Sequence, residues 1–335
     1  VIPVLHLRQG TSLYGADRAV LALSASTPWP YLPIVGAIGR PGTPDVLAQE
    51  ARRLGLAAVR FDSGSRFDLR CARAVARVVL DQGVQLLHAH DFKALFVALI
   101  AGLLARVPVV ATFHGDTRDT AAVRIYEAVA RFLANFTRGV AAVSRALERT
   151  LRRWVRAAPV AFVPNGVPAA LPISEAERVA ARAGLFIHQD AYVIAQIGRL
   201  APEKGHRVLF EAARGIGATV LVAGDGPLRN ALREWARGLD ARFLGYLEDA
   251  RDVFAAADVI VLPSLTEGLP LTALEALALG RCVVASAVGE LPELLSDGAG
   301  VLVPAADPRA LSEALRALRD RGTRRAVEAR ALERA

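Results

Sequence analysis

Short apolar runs alternate with longer amphipathic stretches along the whole chain, and they fall into two series. In the first series Ile2–Leu7, Pro33–Ile38, Ala57–Phe61, Gln85–Ala89, Val107–Thr112, Gly139–Val143 and Pro159–Val163 have the length and content of buried strands. Between them Gly15–Ala25, Asp45–Leu54, Leu69–Asp81, Phe92–Ala105, Thr120–Phe136 and Ser144–Arg156 carry helical spacing. The second series has strands at Tyr192–Ile197, Thr219–Ala223, Ala241–Leu244, Val259–Leu262, Cys282–Ala285 and Gly300–Val303, again with helices between. Such alternation predicts βαβ units and parallel sheets. Pro164, Asn165, Gly166, Pro168 and Pro172 cluster where the series meet and mark a hinge. We therefore expect two α/β domains, 1–165 and 166–335, with ligands outside the carboxyl ends of their strands.

The length of 335 residues suits two cores, and with 53% hydrophobic but only 6% aromatic residues those cores must be packed from Ala, Val and Leu. The chain opens at Val1 on a strand rather than on a secretory signal, and with no Met at all it reads as trimmed or edited. Its longest unbroken apolar stretch, Ala94 to Ala105, has 12 residues, short of the roughly 20 a membrane span needs. Cys71 and Cys282, one in each half, read as buried free thiols. The histidines lack ligand spacing around either cysteine, so no metal site is expected.

The net charge of +8 is uneven: residues 1–170 hold 21 Lys and Arg against 11 Asp and Glu, and the remainder 20 against 22. Arg145, Arg149, Arg152 and Arg156 recur at helical intervals and are expected to share one helix face, with Arg153 beside them and Arg124 and Arg131 on the preceding helix. That face suits either plain solvation or an anionic lipid surface or lipid-diphosphate acceptor. No motif or aromatic interleaving supports nucleic-acid binding.

The most informative stretch runs from Leu262 to Leu279. Glu267 and Glu275 stand eight positions apart around Gly268 and Pro270, and Pro270 is placed to open a helix at its first position. The amides of Leu269, Leu271 and Thr272 would then face outward from a helix start, which favours an anion. Eight residues of helix span at most roughly 12 Å. A carboxylate at each end of that span suits pairs of hydroxyls, with a phosphate between them. Arg199 and Lys204, which is one of only two lysines, follow the strand Tyr192–Ile197 and supply two cations for a leaving diphosphate.

This pattern resembles the Glu-x7-Glu motif of retaining GT-B glycosyltransferases of family 4. Gly198-Arg199-Leu200, Glu203-Lys204-Gly205, Ala223-Gly224-Asp225-Gly226-Pro227, Phe243-Leu244-Gly245-Tyr246, Thr112-Phe113-His114-Gly115, Val143-Ser144 and Val163-Pro164-Asn165-Gly166-Val167 resemble its other motifs in order. The resemblance covers nearly the whole chain. It implies two Rossmann-like domains facing a central cleft, the first for the acceptor and the second for a nucleotide-sugar donor, closing about the hinge. It also implies donor contacts from Arg199 and Lys204 to the pyrophosphate, Glu275 to the ribose and Glu267 to the sugar. Gly15, Gly224, Tyr246 and the segment Gly268-Leu269-Pro270-Leu271 would line the donor, and His114 would reach it near the reacting carbon.

A UDP-sugar is the first choice of donor and a GDP-sugar the second, with a sugar or lipid-linked acceptor, no cofactor and no metal. The place would be the cytoplasmic side of a membrane, in polysaccharide, glycolipid or lipopolysaccharide synthesis. A covalent route would need a carboxylate nucleophile, for which Asp91 and Asp116 are the candidates. Tyr14-Gly15 stands where the family has Gly-Gly, so that Tyr14 is expected to narrow the cleft, and Arg281-Cys282 replaces the usual x-Pro. Glu290 is expected near the nucleotide or sugar. Other readings are a GT-B sugar-nucleotide 2-epimerase, which lacks this glutamate spacing, and a silent nucleotide-sugar binding subunit. Family members commonly end on a helix crossing back to the first domain; here the last helical stretch is Thr323–Ala335.

Overall fold

The computed structural model describes residues 1–10, 13–65, 67–115 and 121–334, with the backbone alone for 121–124. The chain forms two compact units, Val1–Pro168 and Ala169–Ala335.

Unit 1 is a seven-stranded parallel sheet in the order β3-β2-β1-β4-β5-β6-β7. Its strands are β1 (Ile2–Gln9), β2 (Tyr31–Gly39), β3 (Ala57–Asp62), β4 (Leu86–Ala89), β5 (Val109–Phe113), β6 (Gly139–Ala142) and β7 (Val160–Phe162). The connecting helices are α1 (Gly15–Ser26), α2 (Val46–Arg53), α3 (Leu69–Asp81), α4 (Phe92–Ala105), α5 (Ala121–Leu133) and α6 (Arg145–Trp154). Helices cover both faces, so the central strands are near-continuous apolar runs, with Leu5, Leu7, Val35, Ile38 and Leu87 fully buried. Side chains of Asp45, Asp68, Asp91 and Ser144 cap α2, α3, α4 and α6 by accepting from first-turn amides. No described helix is long and apolar enough to cross a membrane.

Unit 2 repeats the plan with six parallel strands in the order β10-β9-β8-β11-β12-β13. These are β8 (Val193–Ile197), β9 (Thr219–Ala223), β10 (Asp240–Gly245), β11 (Val259–Leu262), β12 (Cys282–Ser286) and β13 (Val301–Val303). Its helices are α7 (Glu175–Gly184), α8 (His206–Ala213), α9 (Arg229–Trp235), α10 (Arg251–Ala256), α11 (Leu271–Ala278), α12 (Leu291–Leu294), α13 (Pro308–Ala317) and α14 (Arg321–Arg334). Asp258, just before β11, accepts from the fully buried Arg182 of α7 at 2.9 Å and from the Val193 amide at 2.8 Å. Arg324 of α14 adds an ion pair to the same carboxylate at 3.3 Å. That pairing ties α7 and α14 to the sheet, and α14 packs on α11 and β12 of its own unit.

The strands expected from the pattern are all present, and the two Rossmann-like parallel sheets agree with the expected α/β class. Among the helix boundaries that differ from expectation, two bear on the candidate site and the arginine face. Pro270 is the N-cap of α11 rather than its first residue, with φ −73° and ψ 127°. The helix α6 stops at Trp154 instead of reaching Arg156, because Val155 turns to extended backbone and Asn135 accepts from the amides of Arg156 and Ala157 at 2.7 and 3.1 Å. Arg156 therefore lies off the helix that carries Arg145, Arg149 and Arg152. Arg131 also departs from the expected surface: its side chain is mostly buried and sits 3.6 Å from Glu127. Arg124 falls outside the described side chains.

Both cysteines are buried free thiols, Cys71 on α3 and Cys282 on β12. Burial raises their pKa values to about 11 and about 12.

Candidate active site

Each sheet reverses its winding direction once, at β1/β4 in unit 1 and at β8/β11 in unit 2. At such switch points the loops leaving the two strands part and open a crevice at their carboxyl ends. The predicted site residues fall mainly at these two places.

In unit 2, Arg199 and Lys204 lie on the loop after β8, and Glu267 on the loop after β11. The structure brings the distant pair together: Lys204 Nζ donates to Glu267 Oε1 at 2.5 Å, and Ser264 Oγ donates to the same oxygen at 2.7 Å. The Glu267 carboxylate is mostly buried at 8% side-chain exposure, against 26% for Lys204, so the pair is desolvated enough for its charges to count. Arg199 stands apart, more exposed, 4.0 Å from Glu203. Ser264 was missed; its signal in the sequence is a hydroxyl three residues ahead of a carboxylate on the same strand-end loop.

Backbone contacts hold these loops. The Leu265 amide donates to the Glu203 carbonyl at 2.8 Å, and the Gln196 side chain donates to the Lys204 carbonyl at 2.6 Å. Gly205 caps α8 in the left-handed region at φ 63°, and an added Cβ would lie 1.8 Å from the Pro263 carbonyl oxygen. Gly224 has φ 140°, and an added Cβ would lie 1.9 Å from the Gly198 carbonyl oxygen. These two glycines let three strand-end loops meet, since any side chain would drive them apart. The Gly224 amide donates to Gly245 at 2.7 Å, which places Tyr246, 41% exposed, beside the glycine turn.

Leading into α11, Leu269 is buried while Gly268 and the N-cap Pro270 are half-buried, and on the helix Leu271 and Glu275 are half-buried. The first helical amides, those of Leu271 and Thr272, have no acceptor within a helix by geometry. Glu275 lies one turn further along, between buried Ala273 and Ala276. Glu290 is buried, and its amide donates to the Gly268 carbonyl at 3.0 Å. His206 beside Lys204 is buried with neither ring nitrogen partnered among the described residues, and burial with the Lys204 charge lowers its pKa to about 4.

In unit 1, Gly15 opens α1 with open space where a Cβ would go. Tyr14 is the cap of that helix, its amide donating to Asp17 at 2.9 Å. Thr11 and Ser12 of the same loop, like Asp116, lie outside the described residues. The Asp91 carboxylate accepts from the amides of Gln9 and Ala94 at 2.7 and 2.8 Å, so its work is to hold the β1 and β4 loops.

His114 follows β5 and is not isolated. Its Nε2 lies 3.1 Å from His90 Nδ1, and His90 Nε2 lies 3.2 Å from His6 Nδ1. His88 Nε2 shares a 2.7 Å hydrogen bond with Thr112 Oγ1. Burial lowers the pKa of His6 to about 4 and holds His88 and His90 well below the ordinary range. Burial and the Arg8 charge bring His114 to about 3. All four rings are therefore neutral at neutral pH. The sequence reading found His114 alone. His88 on β4 and His90 just past its end are two apart and share a face, but their meeting with His6 follows only from the β1/β4 pairing.

Two family profiles match the chain: Glycosyltransferase Family 4 over residues 35–171 and Glycosyl transferases group 1 over residues 191–321. A phosphatidyl-myo-inositol mannosyltransferase of Mycolicibacterium smegmatis is 32% identical over 80% of this chain and 71% of its own length. This chain belongs to glycosyltransferase family 4. An Escherichia coli UDP-Gal:alpha-D-GlcNAc-diphosphoundecaprenol alpha-1,3-galactosyltransferase is 28% identical over 66% of this chain and 63% of its own length. The chain thus spans about two thirds of the length of these relatives. Among solved structures, Anabaena Alr3699/HepE in complex with UDP and glucose superposes with a TM-score of 0.85 at 23% identity, covering 99% of this chain and 94% of that one. That likeness shows the GT-B fold, and with the family it accounts for the order of motifs along the chain.

Proposed function

We propose that this family 4 chain is a retaining glycosyltransferase that moves a sugar from a nucleotide-diphosphate donor, a UDP-sugar before a GDP-sugar, to a hydroxyl acceptor. The observation that carries this reading is the Lys204–Glu267 contact at 2.5 Å. It puts a cation suited to a diphosphate against a carboxylate suited to sugar hydroxyls at the β8/β11 switch point. A pair held this way is preorganised: arriving phosphate takes the ammonium, and arriving hydroxyls take the carboxylate. Arg199 adds the second cation, so no metal or other cofactor is needed for leaving-group charge. Glu275 takes the ribose, and the start of α11 faces the phosphates. Tyr246 and the turn at Gly224 border the base.

Asp91 is committed to two backbone amides, which disfavours it as a covalent nucleophile. Front-face transfer then fits, with the leaving phosphate taking the acceptor's proton. UDP is favoured by the name of the E. coli relative and by the UDP bound to the Anabaena protein. The acceptor is a sugar or lipid-linked group in glycolipid or polysaccharide synthesis. The exposed cations Arg145, Arg149, Arg152 and Arg156, near exposed Trp154, would rest on an anionic membrane on its cytoplasmic side.

The test is thermal unfolding of the chain with UDP, GDP and ADP, first without metal and then with Mg²⁺. A ligand at about 100 times its Kd adds roughly 2.7 kcal/mol, a rise of a few degrees. A metal-independent rise with UDP is expected. No rise with any nucleotide overturns the donor-site assignment.

A further inference from the structure

The imidazole contacts in unit 1 carry information along a line. Both ring nitrogens of His90 face other rings, Nε2 toward His6 at 3.2 Å and Nδ1 toward His114 at 3.1 Å. Each contact has room for one proton between two nitrogens. A neutral imidazole owns one N–H and one lone pair. His90 must therefore donate on one side and accept on the other. Only two arrangements satisfy both contacts: every ring carries its proton on Nδ1, or every ring carries it on Nε2.

The two ends of the line decide between them: His114 Nδ1 is a buried unpartnered atom among the described residues, and His6 Nε2, at the other end, is not. An unpaired buried N–H is costlier than an unpaired lone pair, as the relative rarity of orphaned donors shows. The arrangement with Nε2–H on all three rings leaves a lone pair at the His114 end. We propose that His90, oriented by His6, is a positioning residue that fixes His114 in the Nε2–H tautomer, so that Nδ1 of His114 accepts a hydrogen bond from a sugar hydroxyl and disfavours a phosphate oxygen. A hydroxyl can donate to that lone pair, whereas an ionised phosphate has only acceptors.

Ring nitrogens of His6, His88 and His90 also lie within 4.8 Å of one another, a spacing open to a metal ion. Here both nitrogens of His90 are engaged by other imidazoles, His88 Nε2 is engaged by Thr112, and the Arg8 guanidinium donates to the His90 carbonyl at 2.9 Å. A dication would have to displace those protons beside a fixed positive charge.

The hydroxyl half of this inference rests on the transferase reading, and the tautomer half does not. The experiment is ring-nitrogen NMR of the whole chain labelled with ¹⁵N-histidine, at neutral pH. The parent should show His6, His90 and His114 each protonated on Nε2; Nδ1–H forms or mixtures overturn the proposal without any variant. His6→Phe removes a ring outside hydrogen-bond reach of the His114 ring, yet should shift the His114 signals toward the average of the two tautomers. His88→Phe, outside the line, should leave them in place. Unmoved His114 signals in a folded His6→Phe chain, or loss of the ring protons to equimolar Zn²⁺, overturn the relay. UDP-glucose should move the His114 Nδ1 signal and inorganic phosphate should not. If the tautomers are as stated and UDP-glucose moves nothing, the hydroxyl half fails and the relay stands.

Discussion

The two units wind their sheets about equivalent switch points, and the chemistry placed there is opposite. At β1/β4 four neutral imidazoles stand on strands or directly at their ends, under burial that removes their charge. At β8/β11 a lysine and a glutamate sit on loops past the strand ends and pair with each other. The contrast follows from where the side chains are rooted. A strand residue is confined to the covered face of a sheet, where a charge without a partner is costly. A loop residue reaches the rim, where two charges gain a partner and some water. Unit 1 is thus suited to directing hydrogen bonds, and unit 2 to neutralising a charged ligand.

The largest expected break in this comparison is Gly205→Ala. The new Cβ would meet the Pro263 backbone, so the loops carrying Lys204 and Glu267 must separate. Urea unfolding should show a loss of roughly 3 kcal/mol or more, and the thermal response to UDP should vanish. A variant that keeps both would mean that loop closure does not build the site.

Next in size are Lys204→Ala and Glu275→Ala. Each removes a group assigned to the donor, and losing a charged hydrogen bond should weaken UDP binding by roughly 10- to 100-fold. Calorimetric titration reads this directly, and unchanged affinity in both removes the assignment.

Acid should act more strongly on unit 1, which holds four buried histidines with lowered pKa values against His206 in unit 2. His6 and His114 have folded pKa values of about 4 and about 3, below their unfolded value of about 6.5. The unfolded chain binds more protons between those values, so their stabilising contribution is complete above pH ~6.5 and declines as the pH falls. Between pH 7 and pH 5 each should cost roughly 1–2 kcal/mol of stability. Unfolding curves at the two pH values check this, and His6→Phe should flatten the difference.

Two small effects sharpen the contrast. Gly15→Ala meets nothing and should change stability by less than about 0.5 kcal/mol, unlike Gly205→Ala. Neutralising Arg145, Arg149, Arg152 and Arg156 together should reduce sedimentation with phosphatidylglycerol vesicles and leave UDP binding unchanged. No vesicle binding by the parent would remove the membrane assignment.

The strands were legible because both faces of each sheet are covered, which turns them into continuous apolar runs such as Val259–Leu262. The end of α6 was not, because the group that terminates it, Asn135, comes from 21 residues away. In the site, Glu267, Glu275, Arg199 and Lys204 stood out through their spacing and resemblance. The bond joining Lys204 to Glu267 spans 63 residues and needed the strand order. The histidine line was hidden for the same reason: its three contacting rings come from three strands or strand ends.

The thiols lead to a different use. Each unit holds one cysteine, buried and with its thiol pKa raised to about 11 or about 12, so almost no thiolate exists at neutral pH while the chain is folded. A thiol reagent can then react appreciably only after local or global opening. The labelling rate at Cys71 becomes a clock for the opening of the first unit, and that at Cys282 for the second, both read from one unmodified polypeptide in a single mass spectrum.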